Sequence, residues 1–393
     1  MVSQNPAALE LDLSDDQRAM LEAVSRIVDA LDDSYWREKD QSHSFPHEFC
    51  KAIAEGGWLG IAMPEAYGGA ELGITEAALM MERVANSPGG MAAASSIHIN
   101  IFGLHPVVVF GTEEQQERFL PPLIRGDERA CFGVTEPDAG LDTGRIKTRA
   151  VRQGEHYRIS GRKIWTSTAQ QADRVLLIAR TGEGERPTDG LTLFYAPLDR
   201  SKIEVREIDK MGRHGVDSNM LFIDGLEVDA ADRIGAEGDG FKCLLHGLNP
   251  ERILIAAEAV GIGRQALSKA VAYAKEREVF NRPIGQNQSI QHPLAEAWME
   301  LEASWLMVRR AASLYDAGRA CGAEANAAKY LAAEAAFKAC ERAVMTLGGM
   351  GYAQEYGVER LLREVLITRI APVSPELIKC FIAERVLGLP RSY

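Results

Sequence analysis

The order of the secondary-structure signals along the chain constrains its fold more than any other feature. Between residues 131 and 228, short runs rich in β-branched and aromatic residues alternate with Gly, Asp and Pro clusters, as in an antiparallel sandwich or barrel. Ala-rich stretches with helical periodicity lie on both sides. The order predicts an α+β multidomain fold, with an N-terminal α-helical domain (1–130), a central antiparallel β domain (131–236) and a C-terminal four-helix bundle (237–393).

Apolar periodicity and breaker residues also predict the individual helices. In the first domain they fall at 14–37, 45–55, 75–87, 90–110 and 113–125, with Ser14 and Thr112 as N-caps. In the last domain they fall at 241–277, 289–318, 321–347, 355–370 and 374–388. The pair Gly261 and Gly263 imitates a dinucleotide fingerprint, but it lies inside a helical stripe, which favours close helix packing over an NAD site.

Charge and composition exclude several classes of function. The formal net charge is −12 and no basic stripe is present, which argues against nucleic-acid binding and against docking on an anionic membrane. No apolar run approaches the ~18 residues of a membrane span, and the acidic N-terminus does not resemble a signal peptide, so we expect a cytoplasmic protein. Six scattered cysteines without a CxxC pair indicate reduced packing residues, and we expect no metal site.

Two segments near the start of the β region have the chemistry of a binding site. The segment 132–140 combines the Thr135 hydroxyl with turn residues, as expected either of a ligand-binding loop or of an ordinary turn. Trp165 stands beside the hydroxyls of Thr166 and Ser167, a combination that suits stacking on a large heteroaromatic ring. The alternative for Trp165 is a core tryptophan on a strand.

Two further segments lie in the C-terminal region. Arg277 and Arg282 end a long helix, close to Gln288, and could clamp a pyrophosphate or simply complement the helix dipole. Gly348 and Gly349 interrupt another helix, and they either admit the close approach of a ligand or form a plain C-cap.

In this order and spacing, the four segments resemble the acyl-CoA dehydrogenase family over nearly the whole chain. The resemblance implies FAD held between the domains, a homotetramer or dimer of dimers, an electron-transferring flavoprotein as acceptor, and a role in fatty-acid β-oxidation. The reaction implied is α,β-dehydrogenation of an acyl-CoA to a trans-2-enoyl-CoA, in which a carboxylate takes the α-proton and flavin N5 takes the β-hydride.

The resemblance also implies the site residues. It assigns to FAD the residues Phe132, Val134, Thr135, Trp165, Thr166, Ser167, Arg277, Phe280, Gln288, Gly348, Gly349 and Ser374. Among these, Arg277, Phe280, Gln288 and the glycine pair are expected to reach the FAD of a neighbouring subunit. It assigns Leu141, Arg252 and Pro372 to the substrate.

The sequence departs from the family at the usual catalytic base. Counting from Arg363 and Glu364, the family's glutamate position is occupied by Pro372. Isovaleryl- and long-chain-type enzymes carry the base instead on the first bundle helix, where this chain has Glu251, which we therefore predict to be the base. Pro250 is expected at the first position of that helix, and the alternative for Glu251 is an acid that only stabilises the helix dipole.

Proline at position 372 has a second consequence. In the family an amide N–H at this position helps to hold the thioester oxygen, and proline has none. Either the Val373 amide replaces it, or the register of the resemblance is off by one residue, or the chemistry is altered, as in an oxidase or a thioester lyase on the same fold. A third hypothesis is a non-catalytic subunit of a heteromeric dehydrogenase.

Overall fold

The structure, a computed structural model, describes residues 13–392. Its N-terminal region is helical, as predicted, and this region contains seven α-helices among the described residues. They are α1 (Asp15–Val28), α2 (Asp33–Ser42), α3 (His47–Glu55), α4 (Ile74–Ala85), α5 (Gly90–Phe102), α6 (His105–Phe110) and α7 (Glu113–Ile124).

Capping side chains account for the starts of several of these helices. Ser14 forms a capping box with Gln17, and Thr112 caps α7, so both predicted N-caps are confirmed. The predicted helix 14–37 is wrong in its length, because Asp32 caps a new helix by accepting from two backbone amides at 2.9 and 3.0 Å. The predicted helix 90–110 is likewise two helices, since α5 ends before Gly103 and α6 begins at His105.

The middle region is a twisted, mainly antiparallel sheet. Its strands are β1 (Ala130–Gly133), β2 (Arg149–Gln153), β3 (His156–Ser167), β4 (Arg174–Arg180), β5 (Leu191–Pro197), β6 (Ile203–Glu207), β7 (Ser218–Asp229) and β8 (Arg233–Ile234). They lie in the order β6-β7-β3-β2-β4-β5-β8, and β1 pairs with β4. The β domain is confirmed, although the β1–β4 pairing is parallel and so is the single β2–β4 pairing.

The C-terminal region is the predicted helical bundle. Its helices are α8 (Gly240–Glu276), α9 (Gln288–Asp316), α10 (Gly322–Leu347), α11 (Val358–Ile370) and α12 (Pro375–Phe381), and a two-stranded hairpin of β9 (Glu278–Val279) and β10 (Arg282–Pro283) joins α8 to α9. Helix α11 starts later than predicted, because Gly357 is left-handed, with φ +70°. The predicted helix 374–388 ends as α-helix at Phe381 and continues as a π turn, Ile382–Val386.

The N-terminal helices and the bundle share one hydrophobic core. Helix α8 packs against α4, α5, α9, α10 and α11. A Cβ atom on Gly261 would lie 2.3 Å from the Glu82 carbonyl oxygen, and one on Gly263 would lie 3.1 Å from the Ala336 Cα. The two glycines therefore let helices approach closely, as predicted, and they do not form a dinucleotide turn.

Residues 90–110 lie deep in this arrangement. In the part of the chain that is described, they are the one stretch long and apolar enough to pass for a membrane span, but 72% of that window is buried inside the protein. Burial in a core satisfies the same criterion of length and composition. The stretch matters here because α5 forms part of the candidate site.

Candidate active site

A β-bulge at the end of β3 exposes the predicted stacking residue. Lys163 pairs with Leu221 of β7 and Thr166 pairs with Asn219, so β3 has one residue more than β7 between the two pairs. Trp165 lies in this irregular segment with φ +61°, and 56% of its surface is exposed. The indole is therefore not the core tryptophan of the alternative hypothesis.

The residue next to Trp165 has an unused polar atom. Thr166 is completely buried, and its Oγ1 atom has no hydrogen-bond partner within the described chain. A buried hydroxyl without a partner is costly, so such an atom indicates a ligand that supplies the missing bond. An exposed indole beside a buried, unpaired hydroxyl fits the flavin of FAD, which offers a flat ring system with polar edges.

The loop that follows β1 is fixed to this segment of β3. The Ile164 amide donates to the Thr135 carbonyl oxygen at 2.9 Å, and the Lys163 ammonium donates to the Val134 carbonyl oxygen at 3.0 Å. The ammonium also pairs with Glu136 at 3.0 Å. We call Thr135, Trp165 and Thr166 the β-domain face of the site.

The ion pair beneath this face is buried and well connected. Glu136 accepts from the Lys147 and Thr148 amides as well, at 2.7 and 2.9 Å. Burial lowers the pKa of Lys163 to about 8, although Glu136 opposes the shift. Burial would raise the pKa of Glu136, but Lys163 and the amide donors hold it below its usual value.

The predicted base lies in the interior of α8 and not at its start. The helix begins at Gly240, so the expectation that Pro250 occupies its first position is wrong. Pro250 instead interrupts the helical hydrogen-bond ladder, and Glu251 lies about three turns into the helix, beyond the reach of the N-terminal dipole. Glu251 is half-buried, and burial raises its pKa to about 7, against the charges of His98 and Arg252.

A buried histidine–glutamate pair lies close to Glu251. His98 of α5 is 7% exposed, and its Nδ1 atom is 2.5 Å from the Oε1 atom of Glu258, which is 0% exposed. The second polar atom of each, His98 Nε2 and Glu258 Oε2, has no partner among the described residues. Burial opposes a charge on His98, but Glu258, with a further contribution from Glu251, holds its pKa above the usual value.

An arginine from the β domain reaches the same region. Arg213, in the segment before β7, donates to the Ser95 hydroxyl oxygen at 3.0 Å, and Ser95 lies one turn from His98 on α5. No carboxylate of the described residues lies within 4 Å of the Arg213 guanidinium. We call His98, Arg213, Glu251 and Glu258 the helical face of the site.

Aromatic contacts connect the two faces. The rings of His98 and Phe102, one turn apart on α5, are 4.6 Å apart, and the ring of Phe102 is 5.8 Å from that of Phe132. Phe132 is the penultimate residue of β1, which ends at Gly133 just before the loop that holds Thr135. The half-buried Phe132 and Val134 therefore lie at the junction between the faces, as expected of residues beside the flavin.

The predicted substrate loop lies at the end of α11. The Ala371–Pro372 peptide is cis, and the buried Lys329 of α10 donates to the Val373 carbonyl oxygen at 2.7 Å. The Val373 amide donates to no acceptor in residues 13–392, while the Ser374 hydroxyl oxygen caps α12 by accepting from the Leu377 amide. The free amide next to Pro372 is thus available to a ligand.

Arg252 has a structural role in addition to its predicted one. Its guanidinium donates to the Asn249 side chain at 3.0 Å, one turn earlier on α8, and its buried Nε atom has no partner among the described residues. Together with Lys329 it gives the bundle side of the site two positive charges.

The structure does not bring the remaining predicted residues to either face. Phe280 is 94% exposed at the tip of the β9–β10 hairpin, and Arg277 is exposed at the end of α8, directly before β9. Gln288 is exposed at the start of α9, and Gly348 and Gly349 are exposed at the end of α10. Leu141 is 57% exposed on the loop after β1. Their assignments to FAD and substrate stay predictions.

Sequence reasoning did not find five of the charged residues described above. They are His98, Lys163, Arg213, Glu258 and Lys329. The sequence did contain a signal for His98, because it lies with Ser95 on one stripe of an otherwise apolar helix. Arg213 and Lys329 gave no such signal, since their importance depends on contacts between distant parts of the chain.

Comparison with known proteins agrees with this architecture along the whole chain. Residues 14–127 match the family model of the acyl-CoA dehydrogenase N-terminal domain, residues 131–226 that of the middle domain, and residues 238–387 that of the C-terminal domain. The chain is 37% identical to the acyl-CoA dehydrogenase FadE12 of Mycobacterium tuberculosis over 385 residues, which cover 97% of this chain and 98% of the relative.

Solved structures show the same fold. Butyryl-CoA dehydrogenase from Megasphaera elsdenii superposes with a TM-score of 0.92 at 30% identity, covering 96% of this chain and 100% of the other. An FAD complex of PigA has a TM-score of 0.90 at 27% identity, covering 97% and 100%. With the exposed indole and the unpaired Thr166 hydroxyl, these matches identify the cofactor as FAD. The chain therefore belongs to the acyl-CoA dehydrogenase family and is an FAD-dependent oxidoreductase.

Proposed function

We propose that the protein catalyses the α,β-dehydrogenation of an acyl-CoA thioester to a trans-2-enoyl-CoA, with Glu251 as the base. The observation that carries the proposal is the position of Glu251, a half-buried carboxyl in the interior of α8, close to the buried His98–Glu258 pair, where burial raises its pKa to about 7. A base with a pKa near the working pH combines a large ionised fraction with strong proton affinity. The charges of His98 and Arg252 keep part of the carboxyl ionised at neutral pH.

The chain supplies proton removal and orientation in this proposal. Bound FAD supplies a two-electron acceptor for the hydride that leaves the β-carbon. Glu251 accepts the α-proton through a carboxylate oxygen, and the electron pair of that C–H bond becomes the new π bond. Trp165, whose indole is exposed, and Thr166, whose buried hydroxyl has no partner in the described residues, would hold the flavin and so orient it towards the acyl group.

The thioester oxygen requires a donor, and position 372 cannot provide one. The Val373 amide has no acceptor in residues 13–392, which makes it the nearest replacement. Lys329 fixes the following carbonyl group at 2.7 Å, so the loop is held in one orientation. Loss of an oxyanion donor costs about 2.7–4 kcal/mol of barrier in known cases, which is why a replacement matters.

The exposed residues are assigned to a neighbouring subunit. Arg277, Phe280, Gln288 and the pair Gly348 and Gly349 lie away from the β-domain face of their own chain, and their exposure supports contact with another copy in a homotetramer or dimer of dimers. Ser374, Leu141 and Pro372 remain assigned to the cofactor and the substrate. We also assign an electron-transferring flavoprotein as acceptor, a cytoplasmic location and a role in fatty-acid oxidation.

Single-turnover bleaching of the flavin by acyl-CoA tests this function. We expect Glu251→Gln to retain FAD and to lose at least about a thousandfold in bleaching rate, because proton transfer to a positioned group contributes factors of this order. Glu276→Gln, an exposed position on the same helix, is the matched control and should bleach like the wild type.

Other outcomes would contradict the proposal. Bleaching at the wild-type rate in Glu251→Gln would remove Glu251 from the reaction. If the wild type released one peroxide per turnover, this would favour the oxidase chemistry, which is an alternative because Pro372 has no amide N–H. Thioester cleavage without flavin reduction would favour a lyase.

A further inference from the structure

A buried lysine is bonded to the loop that follows α11. Lys329 of α10 is 1% exposed. Its ammonium group donates to the Val373 carbonyl oxygen at 2.7 Å and to the Arg369 carbonyl oxygen at 3.5 Å. Within residues 13–392 these carbonyl groups are its hydrogen-bond partners, and it forms no ion pair with a carboxylate. A charged donor bonds a carbonyl group more strongly than a neutral one, so the shorter contact attaches the loop firmly to α10.

The charged groups around Lys329 do not pair with it. Glu334, further along α10, is engaged by Arg369, whose guanidinium donates to both of its carboxylate oxygens at 2.8 and 3.1 Å. Arg252 of α8 contributes a like charge, and Glu376 at the start of α12 is exposed. Burial lowers the pKa of Lys329 to about 8, Glu334 and Glu376 oppose this shift, and Arg252 supports it. The protein therefore keeps a costly buried charge whose shortest contact is with the loop.

The loop depends on this lysine for its position next to Pro372. The Ala371 amide bonds to the last turn of α11 at 2.9 Å, and the Ser374 hydroxyl oxygen caps α12. Pro372 has no amide N–H to bond. Between Ala371 and Ser374, the described residues supply one hydrogen bond, which is the one from Lys329 to Val373. Lys329 is therefore the group that fixes Val373.

The orientation of Val373 matters for the chemistry at Glu251. Removal of the α-proton moves negative charge onto the thioester oxygen, and a preorganised donor stabilises that charge. The proposed function assigns this task to the Val373 amide. A displacement of about 1 Å in a group that orients a reaction can cost about a hundredfold in rate. A donor on a loop that one side chain fixes is therefore sensitive to the loss of that side chain.

We propose that Lys329 is a positioning residue for the reaction, which holds the Val373 amide towards the thioester oxygen through its bond to the Val373 carbonyl group. The inference rests on the proposed function, because that function takes the Val373 amide as the oxyanion donor. In this role Lys329 acts through the loop and not on the substrate. Its removal lowers the rate of α-proton removal and leaves the affinity for the acyl-CoA nearly unchanged.

Single-turnover bleaching of the holoenzyme separates rate from affinity. The substrate is the acyl-CoA that bleaches the wild type fastest in a straight-chain series beginning with butyryl-CoA. We expect Lys329→Met to lower the limiting rate by about thirtyfold or more, whereas the half-saturating concentration changes by less than about threefold. Lys338→Met is the matched control, because it removes a lysine of the same helix that pairs with Glu296 and Glu300. Its limiting rate should equal that of the wild type.

The dependence on pH distinguishes a charged attachment from simple packing. The pKa of Lys329 is about 8, so its ammonium is charged below pH 8 and neutral above it. A neutral donor bonds about half as strongly, so the limiting rate of the wild type should fall by about threefold between pH 8 and 9.5. Lys329→Arg keeps its charge at every pH, and its rate should be close to that of the wild type at pH 8 and show no such fall. Lys329→Met should lack the fall as well, at its lower rate.

The outcomes separate this inference from the function on which it rests. A limiting rate of Lys329→Met equal to that of the wild type, or a wild-type rate that stays constant from pH 8 to 9.5, overturns the positioning role and leaves the dehydrogenase function standing. Parallel losses of rate, acyl-CoA affinity and bound FAD in both Lys329 variants overturn it in favour of a structural role.

Two further outcomes complete the test. If Lys329→Met alone loses FAD, the profiles of the wild type and Lys329→Arg decide, since a fall that arginine does not abolish contradicts the positioning role. Absence of bleaching of the wild type by the whole acyl-CoA series overturns the proposed function itself.

Discussion

The two faces of the candidate site differ in how far the protein satisfies its own polar groups. Beneath the β-domain face, Lys163 and Glu136 are buried, paired and bonded to backbone groups on both sides. On the helical face, within residues 13–392, Arg213 has no carboxylate within 4 Å, burial raises the pKa of Glu251, and the Nε2 atom of His98 has no hydrogen-bond partner. The first arrangement builds a rigid support, whereas the second leaves buried polar atoms without partners in the described residues.

The largest expected effect is on the support of the β-domain face. Lys163→Met should lower the free energy of unfolding by about 3–5 kcal/mol and release FAD, because it leaves the Glu136 carboxylate buried without its partner. Chemical unfolding monitored by fluorescence measures the first effect, and flavin absorbance after gel filtration measures the second. Lys202→Met, at an exposed position, is the control. Unchanged stability in Lys163→Met would show that the two faces do not differ in this way.

On the helical face, ionisation of the half-buried Glu251 should lower the free energy of unfolding, whereas the ion pair beneath the β-domain face raises it. The pKa of Glu251 is raised from 4.5 to about 7, so its contribution to stability is complete below pH 4.5 and is lost as the pH rises through 7. Glu251→Gln should therefore be more stable than the wild type at pH 8, by about 1–2 kcal/mol, since water partly screens the half-buried carboxyl. At pH 4.5 the gain should disappear. Melting temperatures of both proteins across this range check the sign, and a variant less stable at pH 8 would contradict it.

The smallest expected effect is on FAD affinity, and it concerns the Thr166 hydroxyl of the β-domain face. Thr166→Val keeps the shape of the side chain and removes the hydroxyl whose buried Oγ1 atom has no partner in residues 13–392. We expect FAD affinity to fall about fivefold, as for loss of one neutral hydrogen bond. Stability of the FAD-free protein should be unchanged or slightly higher, because the unpaired group is gone. Titration of the apoprotein with FAD measures the affinity, and equal affinity would exclude a bond from Thr166 to the cofactor.

The parts of the molecule that local sequence signals describe were predicted well. Periodicity gave the three-region order and the caps Ser14 and Thr112 gave helix starts, whereas the assignment of Trp165 and Thr166 to the flavin stays a prediction. The predictions were wrong where packing between distant parts of the chain overrides a local sequence signal. Proline at position 250 has the signature of a helix start, yet α8 continues through it because its neighbours in the core hold it.

The helical face could not be predicted in the same way. His98, Arg213 and Glu258 come from three segments that are far apart in the chain, and each alone has an ordinary explanation. What makes them a site is the unpaired state of their polar atoms, and pairing is a property of the folded structure. The family resemblance pointed to Glu251, and for the other three residues the polar stripe of Ser95 and His98 on an apolar helix was the one local signal in the sequence.

The dependence of the bleaching rate on pH tests the role of Glu251 most directly. The rate with a saturating acyl-CoA should rise about tenfold per pH unit below 7 and level off above it, because only the ionised carboxylate accepts the α-proton. Glu251→Asp should keep a profile of this shape at a lower plateau. A wild-type rate that stays constant between pH 5.5 and 8.5, with the chemical step shown to be rate-limiting by α-deuteration, would contradict the assignment of Glu251 as the base.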